Sequence, residues 1–268
     1  MTRWLSLLLF LTACGSDDDM ASGGTGGTSG TGGASGGSSG TATMTDGPAF
    51  GDTHSGNFWL GPVDYTETQY HNACAPSVKY PAGIRALYGT YIMGLANEVV
   101  VQGLKASAGQ LCDACVELDA NGATVIAHAV TYGQETGPND IDVSPEAYAS
   151  LMEGDASHSG TWQLVACPTT EPIQYTFDGR EWSNVYFFRV WPRNARLPVT
   201  KLEYQLGAGS WSAAELQSDG AWQASGSDFS GGFSVRLTAL DGQTLEDRLP
   251  GLNTFDPDVG ISSSANFE

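Results

Sequence analysis

From Ile92 onward the chain is written as short alternating runs separated by turn residues, and that rhythm restricts it to a fold built of strands. Cys115-Val116-Glu117-Leu118 alternates toward the turn Asp119-Ala120-Asn121-Gly122, and a further strand runs from Thr124 to Tyr132. An Asn-Gly pair between two such runs is a strong hairpin signal. Val99-Val100-Val101 reads as a buried strand, and Trp162 to Cys167 as the last strand of this unit, ended by Pro168. After the junction Pro168-Thr169-Thr170-Glu171-Pro172, short strands recur at Val199 to Leu206, Trp222 to Ala224, Phe233 to Thr238 and Thr244 to Leu249. Turns at Gly207-Ala208-Gly209, Asp219-Gly220 and Asp241-Gly242 separate them. The first set suggests a small closed barrel, the second a β-sandwich, so the fold class is all-β.

One helix interrupts the pattern. Ser144 reads as its N-cap and Pro145 as its first residue, with the helix running to about Met152. Just before it, Ile141 and Val143 flank Asp142 at strand spacing, so they can point inward while Asp142 points to the other face. A carboxylate at the end of a strand and backed by a capped helix is a rigidly placed acid.

The formal net charge is -19, from 30 acidic against 11 basic residues. Nucleic acid and anionic membrane surfaces are therefore poor partners, because the net field repels them. A neutral polymer such as a β-glucan fits, whereas an anionic one needs a local basic patch. At the N-terminus Arg3 precedes the apolar run Trp4 to Leu11, too short to span a bilayer and followed by small residues, as in an export signal. Its ending, Leu11-Thr12-Ala13-Cys14, resembles a bacterial lipobox, with residues 1–13 removed and Cys14 lipidated. Gly15 in place of a retention aspartate favours the outer membrane or cell surface. Residues 14–47 are expected to be a Gly/Ser/Thr-rich leash with nothing to bury. Its reach is on the order of 30 Å, from roughly 5–6 Å times the square root of its length.

Four cysteines remain in the body, Cys74, Cys112, Cys115 and Cys167. In an exported chain an even set favours two disulfides, with about three connectivities open to it. The zinc reading of Cys112-Asp113-Ala114-Cys115 is weaker, because Cys74 and Cys167 are isolated and supply no second close pair. No phosphate loop, metal-ligand pair or serine-nucleophile motif is present, so neither metal nor cofactor is expected.

Several stretches carry a family likeness. Pro192-Arg193-Asn194-Ala195-Arg196-Leu197-Pro198-Val199-Thr200-Lys201-Leu202-Glu203-Tyr204 is close to the Arg-Asn-x-x-x-Pro-Val-x-x-x-Glu-Tyr run of bacterial expansins. Asp142-Val143-Ser144-Pro145 followed by Ala147-Tyr148 resembles their Asp-Leu-Ser-x-x-Ala-Phe, and Cys112, Cys115 and Cys167 match cysteine positions of plant members. The resemblance implies a six-stranded double-psi β-barrel over residues 48–170 and an immunoglobulin-like carbohydrate-binding sandwich over 171–268. It also implies the pairs Cys74–Cys112 and Cys115–Cys167, and leaves the family's third bridge without cysteines. The family's central-strand aspartate falls on Val130 here, while Tyr132 matches. His128 shares strand parity with Val130 and Tyr132, so it is a candidate cleft contact alongside Tyr132, with a structural histidine as the equal alternative. Asn57 and Thr53 are the candidates for the family's cleft threonine.

Hydrolysis by inversion needs an acid and a base roughly 6.5–9.5 Å apart. Asp142 can be the acid. The early carboxylates Asp52 and Asp64 sit in no recognisable motif, and Asp140 and Glu135 read as solvated loop charges. In the sandwich, alternation along Val185 to Trp191 puts Phe187, Arg189 and Trp191 on one face. The resemblance maps Tyr186 and Phe187 onto the family's cellulose platform, which Trp191 extends, and Arg193, Arg196 and Lys201 add positive charge nearby. A third platform aromatic is replaced by Asp219. The expected function is non-hydrolytic binding and loosening of cellulose or a related β-glucan by a monomer. The alternatives are a weak endoglucanase or peptidoglycan lytic transglycosylase on the same barrel, and a purely adhesive surface lipoprotein.

Overall fold

The structure is a computed structural model that describes residues 48–61, 73–74, 88–133, 137–152, 157–179, 183–226, 228–257 and 259–268. Arg3, Cys14, Asp64 and Glu135, together with the signal and leash, lie outside the described residues. Barrel and sandwich belong to one compact unit, Met44–Glu268.

The barrel strands are β1 (Ala49–Leu60), β2 (Ile92–Ala96), β5 (Cys115–Ala120), β6 (Ala123–Gly133), β7 (Ile141–Val143) and β8 (Ser159–Val165). They close in the order β1-β7-β2-β6-β5-β8. The pairs β1–β7 and β2–β6 are parallel; the rest are antiparallel. Closure leaves no free edge, and alternation fills the interior with Phe58, Met93, Leu95, Leu118, Ala127, Ile141, Val143 and Trp162. The Asn121-Gly122 turn joins β5 to β6 with both residues at positive φ, 54° and 80°, as a two-residue hairpin requires. The Val99 run is not a fully buried strand. Val100 and Val101 form a two-residue strand β3, paired with β4 (Leu104–Lys105), and Val100 is exposed. Helix α1 (Pro145–Leu151) is capped by the Ser144 hydroxyl, which accepts from Ala147 N–H.

The sandwich has two antiparallel sheets. One runs β13 (Glu215–Leu216), β14 (Trp222–Ser225), β10 (Phe187–Arg193), β9 (Gln174–Phe177), β17 (Ile261–Ser262). The other runs β12 (Ser212–Ala213), β11 (Val199–Gln205), β15 (Phe233–Ala239), β16 (Thr244–Leu249). Tyr175, Phe177, Phe188, Val190, Leu202, Phe229, Phe233, Val235 and Leu237 fill the space between them. The Phe188 ring packs against Phe229 and Phe233 at 5.0 and 5.2 Å, spacings that favour aromatic pairs.

The cysteines pair as Cys74–Cys112 and Cys115–Cys167, with Cα separations of 5.2 and 5.1 Å. Between them Asp113 sits at φ 65° and receives Arg193 from the sandwich. Arg193 is fully buried, and its second terminal nitrogen donates to the Cys74 carbonyl at 2.7 Å. Gly109 and Gly220 meet at this seam, both with positive φ. A Cβ on Gly220 would lie 2.7 Å from Cys112 Cβ, so the two domains approach there at backbone distance.

Candidate functional site

Because Ile141 and Val143 are buried in the barrel core, Asp142 between them faces outward. Strand register then aligns four residues across four neighbouring strands. Trp59 of β1 pairs with Asp142 of β7, Asp142 with Gly94 of β2, and Gly94 with Thr131 of β6. At roughly 4.8 Å per strand this row spans about 14 Å of the outer surface. Gly94 keeps its centre low: a Cβ there would lie 2.8 Å from Thr131 Cγ2 and 3.8 Å from Asp142 Cβ.

The row ends in an aromatic group. The half-buried Trp59 ring stacks on His158 at 4.7 Å, and Tyr148 of α1 lies 5.9 Å from His158. Trp59 Nε1 donates to Asp140 Oδ2 at 2.9 Å, while Asn57 donates its backbone and side-chain N–H groups to Asp140 Oδ1. Asp140 is therefore not a solvated loop charge. It is buried and orients the tryptophan, so both its oxygens are committed. Asp52 is exposed on β1, and Thr53 donates weakly to Gln163 at 3.4 Å. Asn57 serves Asp140 and also lines an open pocket with Ser55, Ser159 and Thr161. Sequence reasoning missed Trp59 and Thr131. The available signal for Trp59 was its parity, opposite to the core residue Phe58 on the same strand.

Tyr132 and His128 separate. Between Met93/Ala129 and Gly94/Thr131 the β2–β6 register slips by one, leaving Val130 as a bulge. The bulge breaks the expected shared parity. Tyr132 packs at the rim of the barrel core, and its hydroxyl donates to the Ser218 carbonyl of the sandwich at 2.8 Å. His128 instead pairs with Cys115 on β5 and lies against Tyr88 at 4.8 Å. Burial lowers its pKa from 6.5 to about 4. His128, Cys115 and Cys167 cluster with their ligand atoms within 4.8 Å, yet both sulfurs are tied up in the disulfide. A disulfide supplies no thiolate, so the group suits packing and not a metal.

On the sandwich, Tyr186 is 69% exposed, and Phe187 is half-buried on the outer face of β10. Trp191 is not a platform. It is fully buried, flanked by the guanidinium groups of Arg189 and Arg193 at 5.3 and 5.1 Å, with Nε1 donating to the Asp219 carbonyl. Alternation set its side of the sheet; Arg189, Arg193 and the Asp219 turn enclose it there. Arg189 is braced between Asp178, at 2.5 Å, and Asp219, so each of its terminal nitrogens bonds a carboxylate within the protein. Of the expected positive patch, Arg193 is buried at the seam and Lys201 is paired to Glu203 on the other sheet. Asp219 thus joins Arg189 and Trp191, and follows directly on Ser218, which holds Tyr132. The row on the barrel and the aromatic edge of the sandwich are linked through this one turn.

No family model matches the chain. Over 125 residues it is 26% identical to Expansin-YoaJ of Bacillus subtilis (strain 168), covering 46% of this chain and 50% of that protein. The chain therefore aligns with about half the length of this curated relative. Two solved structures of Clavibacter michiganensis expansin superpose over 81% of this chain and 98% of theirs. The apo form gives a TM-score of 0.66 at 15% identity; a point mutant in complex with cellohexaose gives 0.65 at 16%. The fold is that of the expansins. The closed six-stranded barrel and the two-sheet sandwich are the all-β fold that the family likeness implied. The central-strand acid is absent, and a tryptophan-ended row stands beside Asp142.

Proposed function

We propose that the chain binds cellulose or a related β-glucan along Trp59, Asp142, Gly94 and Thr131, continues onto Phe187 and Tyr186, and loosens the polymer without cutting it. The observation that carries this reading is the four-strand row: a flat aromatic, a carboxylate and a threonine methyl around a glycine floor, with the Thr131 hydroxyl turned to Ala73 N–H. An aromatic ring takes the apolar face of a sugar, and the Asp142 carboxylate takes its hydroxyls. The Tyr132–Ser218 bond supports one continuous binding track over both domains. The cellohexaose complex of the Clavibacter protein supports a glucan of this type. Against hydrolysis stands Asp140, the acid two residues from Asp142, whose oxygens are taken by Asn57 and Trp59. We assign residues 48–170 to the barrel domain and 171–268 to the sandwich, acting as a monomer. Residues 1–13 are the export signal, Cys14 the lipidated residue, and 14–47 the leash from the outer membrane or cell surface.

The test is pull-down on insoluble cellulose with product analysis on the same samples. Trp59→Ala is expected to weaken binding about tenfold, since such a ring contact is worth about 1 kcal/mol beyond its buried area. Asp142→Asn is expected to abolish filter-paper weakening with no sugar released by either form. Release of soluble sugar ends by the unmodified chain, lost in Asp142→Asn, would turn the reading to a glycanase. Retention of weakening in Asp142→Asn would leave an adhesive module. Labelling with a radioactive fatty acid, lost in Cys14→Ala, checks the anchor.

A further inference from the structure

Four basic residues of the sandwich, Arg189, Arg193, Lys201 and Arg236, are ion-paired with carboxylates. Arg196 has no ion pair among the described residues. Its Nε–H is buried and has no hydrogen-bond partner there. Arg248 and Lys105 also lack a carboxylate partner among the described residues, but both are exposed to water, whereas a buried charged donor left unsatisfied, as at Arg196, is costly.

The residue is nevertheless held firmly. Its backbone N–H donates to Asn266 Oδ1 at 2.8 Å, and its carbonyl accepts from Cys167 N–H at 2.7 Å, next to the Cys115–Cys167 disulfide. Asn266 is fixed in turn by bonds from its amide to the Glu171 and Asn194 carbonyls. Arg196 lines an open pocket of about 510 Å³, with the hydroxyl residues Thr169, Thr170 and Ser264 around it and Pro172 on the apolar wall. Glu268 stands at the same pocket.

We infer that this pocket is a second glycan site, one that takes a single carboxylated sugar, a hexuronate, carried on an otherwise neutral polysaccharide. A guanidinium pairs with a carboxylate through two parallel bonds, and no compact ammonium reproduces that fork. The hydroxyl side chains suit sugar hydroxyls, and the proline suits the ring's apolar edge. Glu268 opposes any carboxylate at the pocket, so the Arg196 pairing has to outweigh it, and the acidic total repels a chain carboxylated at every sugar, so sparse uronates are preferred. The pocket uses none of the residues of the Asp142 row or of the Phe187 edge. It stands whether or not those bind cellulose.

The experiment is calorimetry on the full chain with glucuronic-acid-substituted xylan oligosaccharides and with the same oligosaccharides after reduction of the carboxyl to an alcohol. The acid form is expected to bind about ten- to a hundredfold tighter than the reduced form, the worth of a hydrogen-bonded ion pair. Arg196→Gln should remove that preference, Arg196→Lys should restore part of it, and Arg248→Gln, an exposed cation outside the pocket, should keep it. Equal binding of the two forms by the unmodified chain would overturn the site without recourse to any variant. So would a preference that survives in Arg196→Gln, or one lost equally in Arg248→Gln.

Discussion

His128 shows how a single inserted residue redirects a side chain. Strand parity puts it with Tyr132, and the bulge at Val130 turns it under Tyr88 and beside the Cys115–Cys167 disulfide. Its pKa falls from 6.5 to about 4 because the charged ring is poorly solvated there. Between those two pH values the unfolded chain binds a proton that the folded chain refuses. Stability therefore rises with pH across this window: it is fully present above 6.5 and lost as pH falls toward 4. The loss is on the order of 3 kcal/mol, since each tenfold drop in proton affinity is worth about 1.36 kcal/mol. Urea midpoints at about pH 7 and about pH 4.5 check this, with the fall expected to be larger in the unmodified chain than in His128→Gln. A bulge leaves almost no mark on the sequence, since Ala129, Val130 and Thr131 all suit a strand. Which residue is skipped depends on the partner strand β2. Trp59 was hidden for a different reason. Its row exists only when β1, β7, β2 and β6 lie side by side, and only the closed barrel brings them together.

At the scale of elements, the strand-to-helix corner was the most legible part of the chain. Ser144-Pro145 announces a helix start through local chemistry alone, and the alternation Ile141-Asp142-Val143 assigns faces without tertiary knowledge. The hydroxyl of Ser144 also does something the sequence does not announce. It donates to the Thr90 carbonyl at 2.6 Å, pinning the corner to the residues that lead into β2. Ser144→Ala removes both the cap and the tie. We expect about 1–2 kcal/mol of destabilisation, the upper part of the usual capping range, because the Thr90 carbonyl loses a donor as well. Thermal unfolding measures it, and Ser144→Thr should recover most of the loss. A change within about 0.5 kcal/mol for Ser144→Ala would mean that the corner is held by packing of Ala147 and Leu151 alone. The Phe187 strand was half legible. Alternation named the outer residues, but not which of them the arginines and the Asp219 turn enclose, so Phe187 remains accessible while Trp191 does not.

For the whole molecule, the decisive contact is the arginine that the family-like run Pro192 to Tyr204 carries into the barrel. Arg193 joins β10 to Asp113, and Asp113 also receives the Tyr88 hydroxyl, so one carboxylate ties sandwich, cysteine loop and barrel together. That role could not be read from sequence, where Arg193 is one more positive charge near an exposed face. A charge with no exposed surface depends on its protein partners in place of water. Arg193→Ala leaves Asp113 at the seam without its cation, and breaking a buried pair in this way costs about 3–5 kcal/mol. Asp113→Asn should cost a comparable amount by stranding the arginine. If the pair acts as a unit, the double variant loses much less than the sum of the two. Calorimetric scans would show this as a shared fall in midpoint, with the single variants resolving into two transitions as barrel and sandwich cease to unfold together. Additive losses with one sharp transition would instead place the coupling in the Gly109–Gly220 contact and the Tyr132–Ser218 bond. Where the two transitions separate, cellulose retention by the single variants should drop as well, because the proposed binding track crosses the seam and needs both sides held in one frame.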